Sequence, residues 1–167
     1  VKAWILAVAW LALCLPAFAQ DVDALERALD KARLEAPLVL KPFMLVTRPA
    51  KYFGDYEQRT DAVLLHGDKI FFYLEIKNLV IPKNAQGLYE PAFEVDLEIS
   101  SSQDKTVRKT PGFAKFRLPG RSRVQDFYVN LLISLDQAPP ATYTVRFTVR
   151  DLNSKKTGAV EQVLAIR

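Results

Sequence analysis

Apolar and polar side chains alternate one by one through most of the second half of this chain. In TYTVRFTVRD, Tyr143, Val145, Phe147 and Val149 fall on one side, with Thr144, Arg146, Thr148 and Arg150 on the other. A period of two marks a strand with one face in a core and one in water. The same alternation runs through FEVDLEIS, with Phe93, Val95, Leu97 and Ile99 inward and Glu94, Asp96 and Glu98 outward. It recurs in Asp126–Ser134, where Phe127, Val129, Leu131 and Ile133 oppose Tyr128, Asn130, Leu132 and Ser134. Ile70–Lys77 turns Ile70, Phe72, Leu74 and Ile76 one way and carries Phe71 and Tyr73 on the other, so that second face is expected to be covered too. Leu38–Val46 reads as an edge strand because Pro42 cannot donate to a ladder. A short strand is expected at Ala114–Leu118, with Phe116 and Leu118 inward, and a last one through Val160, Leu164 and Ile166.

These runs make about seven short strands separated by Gly, Pro, Asn and Asp clusters, with no helical pattern between them. That spacing predicts two antiparallel sheets packed face to face in an all-β domain. Ahead of them, Val22, Leu25, Leu29 and Ala32 recur at three- and four-residue intervals, so the spacing predicts a short helix over Asp21–Glu35, stopped before Pro37. The boundaries drawn are 20–37 for this N-terminal helix or arm and 38–167 for the sandwich.

The chain's first nineteen residues, VKAWILAVAWLALCLPAFA, follow a different rule. A lysine, an unbroken apolar run from Ala3 to Leu15 and small residues at Ala17 and Ala19 form a secretory signal, with cleavage expected after Ala19. A retained anchor is disfavoured because the run is shorter than the ~20 residues a spanning helix needs. Lipidation of Cys14 is disfavoured because Leu13 stands where a small residue is wanted. The exported chain then has no cysteine, and its core alone must hold it. Export implies a periplasmic or extracellular protein.

Two features resemble a known family. In APPATYTVRFTVRDLNSKKTGAVEQVLAI, a Pro pair is followed by Tyr, an alternating strand ending in Asp, a turn and a last strand. This resembles the closing strands of immunoglobulin-like and fibronectin-III-like modules. GDKIFFYLEIKNL and RSRVQDFYVNLLISL fit earlier strands of such a module. The resemblance covers roughly Ile70–Ile166. It implies an immunoglobulin-like β-sandwich in which the Tyr143 hydroxyl pins the corner before the penultimate strand. Taken whole, the chain is similar to exported bacterial proteins of uncharacterised activity built on this sandwich. The Cys…Trp…Cys core of antibody domains is absent, since Trp4 and Trp10 lie in the leader. No catalytic or binding residue therefore carries over.

Charge and candidate chemistry add little that is specific. The net charge of +4 falls to +3 when Lys2 leaves with the leader, too mild to imply nucleic acid. His66, the sole histidine, precedes Gly67-Asp68 and reads as a turn residue rather than a general base. Glu94, Asp96 and Glu98, spaced about 7 Å apart along one strand face, have the separation of an acid/base or calcium-binding set. Their more economical reading is a wet face paired with Lys115, Arg117, Arg146 and Arg150.

The sharpest compositional feature is Lys105–Arg123, which holds Lys105, Arg108, Lys109, Lys115, Arg117, Arg121 and Arg123 with no acid and with turns expected at Pro111-Gly112 and Pro119-Gly120. It is either an anion-binding surface or an edge guarded against aggregation. Tyr52, Phe53 and Tyr56 sit in a long loop, as a binding feature or a cover packed onto the sheet. The reading is a non-catalytic binding or accessory module of the bacterial envelope, with no cofactor and no metal, meeting an envelope protein or an anionic envelope component. A small periplasmic hydrolase using surface carboxylates, or a subunit assembling through a strand edge, are the alternatives.

Overall fold

The computed structural model of the chain describes residues 22–103, 105–135 and 138–167. The leader, with Cys14, lies outside them, as does Asp21, the first residue of the expected helix. The chain divides into two units, residues 1–32 and 33–167. Helix α1 (Val22–Glu35) has Asp23 in its first turn and Arg33 in its last, each matching the helix dipole, and ends two residues before Pro37.

Among the described residues eight strands follow: β1 (Val39–Val46), β2 (Val63–Leu64), β3 (Lys69–Lys77), β4 (Ala92–Ser101), β5 (Val107–Arg117), β6 (Phe127–Ser134), β7 (Ala141–Asp151) and β8 (Thr157–Ile166). They form two sheets, β1-β3-β6 and β2-β8-β7-β4-β5. The two-sheet all-β architecture read from the alternation is therefore present. Phe72, Leu74, Phe93, Val95, Val145, Phe147, Val149 and Leu164 are fully buried between the sheets. Phe147 meets Phe72 edge-on at 5.2 Å between ring centroids, joining the layers at their centre.

The expectation of a wholly antiparallel domain of about seven strands needs correcting. Residues Val63 and Leu64 run parallel to Ala165 and Ile166 of β8. Two residues are too few for an alternation to register, and only the neighbouring C-terminal strand makes them a strand. The fifth strand is also longer than expected. It begins at Val107, and Pro111-Gly112 is no turn but the middle of a bulge. Val95 faces Ala114 and Leu97 faces Thr110, so Asp96 alone stands opposite Pro111, Gly112 and Phe113. Gly112 takes a φ of 61° there, a conformation that suits glycine, and donates its N–H to Asp96 Oδ1 at 2.7 Å. Leu118, expected inward, lies beyond the strand and is exposed.

Two corners fix how the strands connect. The Tyr143 hydroxyl donates to the Pro139 carbonyl at 2.8 Å, pinning the entry to β7 as expected. At the other end of β7, buried Asp151 accepts from the Val80 N–H at 2.9 Å, the Asn153 N–H at 2.9 Å and Ser154 Oγ at 2.7 Å. Asn153 Nδ2 then donates to the carbonyls of Val80 and Glu90. The β7–β8 hairpin thus satisfies the Val80 N–H and the Val80 and Glu90 carbonyls of the long β3–β4 connection, which also pairs Lys83 with Tyr89 within itself.

Strand β1 is an edge, as Pro42 implied. Its Lys41–Pro42 peptide is cis and its pairing with β3 shifts between Leu40 and Phe43. The second face of β3 is covered, also as expected. Tyr73 is fully buried beneath residues 48–56 and packs with Val46 and Ala50.

Candidate functional site

The outer face of the five-stranded sheet carries the acidic set. Register places Glu94 between Lys115 and Arg150, and Glu98 between Lys109 and Arg146. Lys115 Nζ lies 3.3 Å from Glu94, Lys109 Nζ lies 2.9 Å from Glu98, and Arg150 bridges Glu94 and Asp96. Arg146 reaches Glu161 of β8 at 3.4 Å. Lys115 and then Arg150 hold the Glu94 carboxyl below its usual range, against partial burial. Glu94 is therefore ionised at neutral pH and is no proton donor. Asp96 does more than colour a wet face, because it accepts both the bulge N–H and Arg150. Among the described residues no three His, Cys, Asp or Glu side chains gather to hold a metal ion. His66 is exposed in the turn before β3, and its backbone N–H donates to the Arg167 carbonyl.

The basic segment is sorted by the strand it lies on. Lys109, Lys115 and Arg117 occupy the outer face of β5, each with an acid: Glu98, Glu94 and Glu90. Asn84 and then Arg117 hold the Glu90 carboxyl below its usual range. Arg108 is on the opposite face, across from Ile99. Lys105 sits in the β4–β5 turn at a φ of 54°, and Arg121 and Arg123 follow Gly120 in the connection to β6, Arg121 exposed and Arg123 half-buried. The seven residues are thus divided between two faces and two connections. Arg108 lines a cavity.

That cavity, about 260 Å³, opens where the edges of β5 and β6 part. Leu97, Ile99, Leu135 and Pro139 supply an apolar floor, and Thr110, Ser134 and Tyr143 supply hydroxyls. Arg108 lines it from β5, and among the described residues no carboxylate lies within ion-pairing distance of its guanidinium. Sequence reasoning named Arg108 only as one of a run. With the strand expected to start at Ala114, Arg108 falls outside it and takes no face, although it shares the parity of Phe116.

The aromatic loop is mostly cover. Tyr56 packs on Tyr73 at 4.8 Å, Phe53 meets Tyr128 edge-on at 6.4 Å, and Tyr73 stacks on Tyr128 at 5.6 Å. Gly54 donates its N–H to the Tyr73 hydroxyl, which donates to Glu75. Burial pushes the Tyr73 phenol up to about 12, with the Glu75 carboxylate beside it acting in the same direction. Asn130 pairs with both backbone groups of Ala50, and Arg48 grips Asp55 with two hydrogen bonds. Tyr52, 66% exposed, projects furthest from the group, and Phe53 and Tyr56 keep part of their surface open as well.

No protein-family model and no curated protein matches the chain. Among solved structures it is similar to Pseudomonas fluorescens alkylpurine DNA glycosylase AlkC bound to DNA containing an abasic site analog. The likeness covers 83% of this chain and 33% of that one, with 16% identity and a TM-score of 0.41. The chain thus spans about a third of that protein's length, and the likeness carries no functional argument. No helix among the described residues is long and apolar enough to cross a membrane.

Proposed function

We propose that this is an exported, non-catalytic binding module of immunoglobulin-like build, acting at the bacterial cell envelope on an anionic component. The immunoglobulin-like assignment is supported by a three-stranded sheet of β1, β3 and β6 facing β5, β4, β7 and β8, and by the Tyr143 corner. Export rests on the leader pattern of residues 1–19. The non-catalytic reading is supported by the ion pairs that occupy Glu94, Asp96 and Glu98.

The observation that carries the binding reading is Arg108 at a cavity lined by both apolar side chains and hydroxyls, on a strand whose other three cations each have an acid. An arginine in this position offers paired donors to a phosphate or carboxylate, and the apolar floor takes carbon attached to it. At about 260 Å³ the cavity is below the ~300–1,000 Å³ of a site for a drug-sized ligand. It therefore suits the end of an amphiphile rather than a whole large molecule. Phospholipid and lipopolysaccharide phosphates are the envelope groups with that chemistry.

Flotation with vesicles tests this. The protein should associate with phosphatidylglycerol vesicles at low ionic strength, lose most of that association as salt rises, and leave phosphatidylcholine vesicles alone. No association at low ionic strength, or equal association with both vesicles, overturns the reading.

A further inference from the structure

The two sheets have four edge strands, and three carry devices that discourage pairing with another chain. Strand β1 has Lys41, Pro42 and a register shift. Strand β5 has Pro111, the three-residue bulge and Arg108, Lys109, Lys115 and Arg117. Strand β2 is two residues long. Bulges, prolines, basic side chains and shortness are the usual means of blunting an edge.

Strand β6 has none of these. Its eight residues, FYVNLLIS, contain no charge, no proline and no glycine, and they pair with β3 without a register shift from Phe127↔Ile76 to Ser134↔Lys69. Among the described residues its backbone pairs with β3 alone, so half of its N–H and C=O groups face away from the sheet. Leu132, on its outer face, is 48% exposed.

We propose that β6 is a self-association edge, on which two copies of this chain pair their β6 strands antiparallel about a two-fold axis and join two three-stranded sheets into one of six strands. Opposed residues in an antiparallel pair share a face, so the register must match parity. Centring it on Asn130 does so at every position. Phe127 then faces Ile133 and Val129 faces Leu131 on the inner side, while Tyr128 covers Leu132 on the outer side. Asn130, whose amide also holds Ala50, faces its own copy.

A second copy is favoured over a foreign strand for two reasons. An isologous contact needs a segment that complements itself, and this one does so without opposing like charges. A charge-free edge also offers no electrostatic means of selecting a different partner. The same operation on β5 would set its lysines and arginines among one another, and on β1 it would bring two prolines to the seam.

Sedimentation velocity over a wide concentration range tests the proposal on the protein as the cell exports it. The expected result is a monomer that becomes a dimer as concentration rises, with slower amide exchange in β6 at the high end. Leu132→Lys should weaken the dimer at least tenfold while leaving the melting temperature of the dilute protein unchanged. Val163→Lys, at an exposed position on β8, should leave the dimer intact. Monomer at every concentration overturns the proposal, as does a dimer indifferent to Leu132→Lys or equally weakened by Val163→Lys. Protection of β6 only when another envelope protein is added also overturns it, in favour of a foreign strand.

Discussion

At the scale of single residues, acidic side chains here do structural work that their positions on exposed strands and loops conceal. Asp96 accepts the Gly112 N–H at 2.7 Å and Arg150 at 2.9 Å, so removing its carboxylate leaves a bulge donor and a guanidinium without their acceptor. Asp96→Ala should cost about 1–3 kcal/mol, read as a shift in the denaturation midpoint, where a merely solvated carboxylate would cost almost nothing. Asp55 gives a pH signature. Arg48 first, then the Lys51 N–H, lowers its carboxyl from 3.8 to about 2. A depressed carboxyl stabilises the fold above its unfolded value, and that gain is lost as pH falls from there through the folded value. The melting temperature should therefore drop between about pH 4 and pH 2. Arg48→Met should lie below wild type near neutrality and converge with it at the acid end; a constant gap would contradict this assignment. The sequence showed the charges but not these roles. Nothing in a run of alternating acids distinguishes Asp96, opposite a bulge, from Glu98, opposite a lysine.

At the scale of elements, legibility followed regularity. Strands β3, β4, β6 and β7 keep an unbroken period of two across their inward residues; burial follows it closely in β6 and β7, while in β3 the covered second face buries Tyr73 and Glu75 as well. Strand β5 does not, because Pro111, Gly112 and Phe113 crowd opposite one residue, so the segment ahead of them that carries Arg108 reads as the approach to a turn rather than as strand. Strand β2 carries too little sequence for any pattern and exists through pairing with the far end of the chain. The Tyr143 corner was legible because its signal is local, four residues from hydroxyl to carbonyl. Tyr143→Phe keeps the ring and removes that bond, so it should cost about 1 kcal/mol, with the strands themselves intact by circular dichroism. No measurable loss would mean the corner is held by packing alone.

For the whole molecule, the two sheets share one apolar layer whose centre is Phe72, Phe147 and the fully buried Val145. Val145→Asp places an unpaired charge in that layer and should unfold the body, since the penalty of several kcal/mol rivals a domain's entire stability. A variant melting like wild type would show that this face is not the core. The outer face of the larger sheet, by contrast, is neutralised by its own cross-strand pairs. Arg108, which has no acid within ion-pairing distance among the described residues, meets the cavity at the opening between β5 and β6.

That contrast between two neighbouring cations is the most direct test. Binding to phosphatidylglycerol vesicles should be compared for wild type, Arg108→Gln and Lys109→Gln, variants of equal charge change one residue apart. The account predicts at least a fivefold loss for Arg108→Gln and little change for Lys109→Gln, whose side chain is already committed to Glu98. Equal losses for the two would mean that the protein responds to net charge alone, and the cavity would have no part in binding.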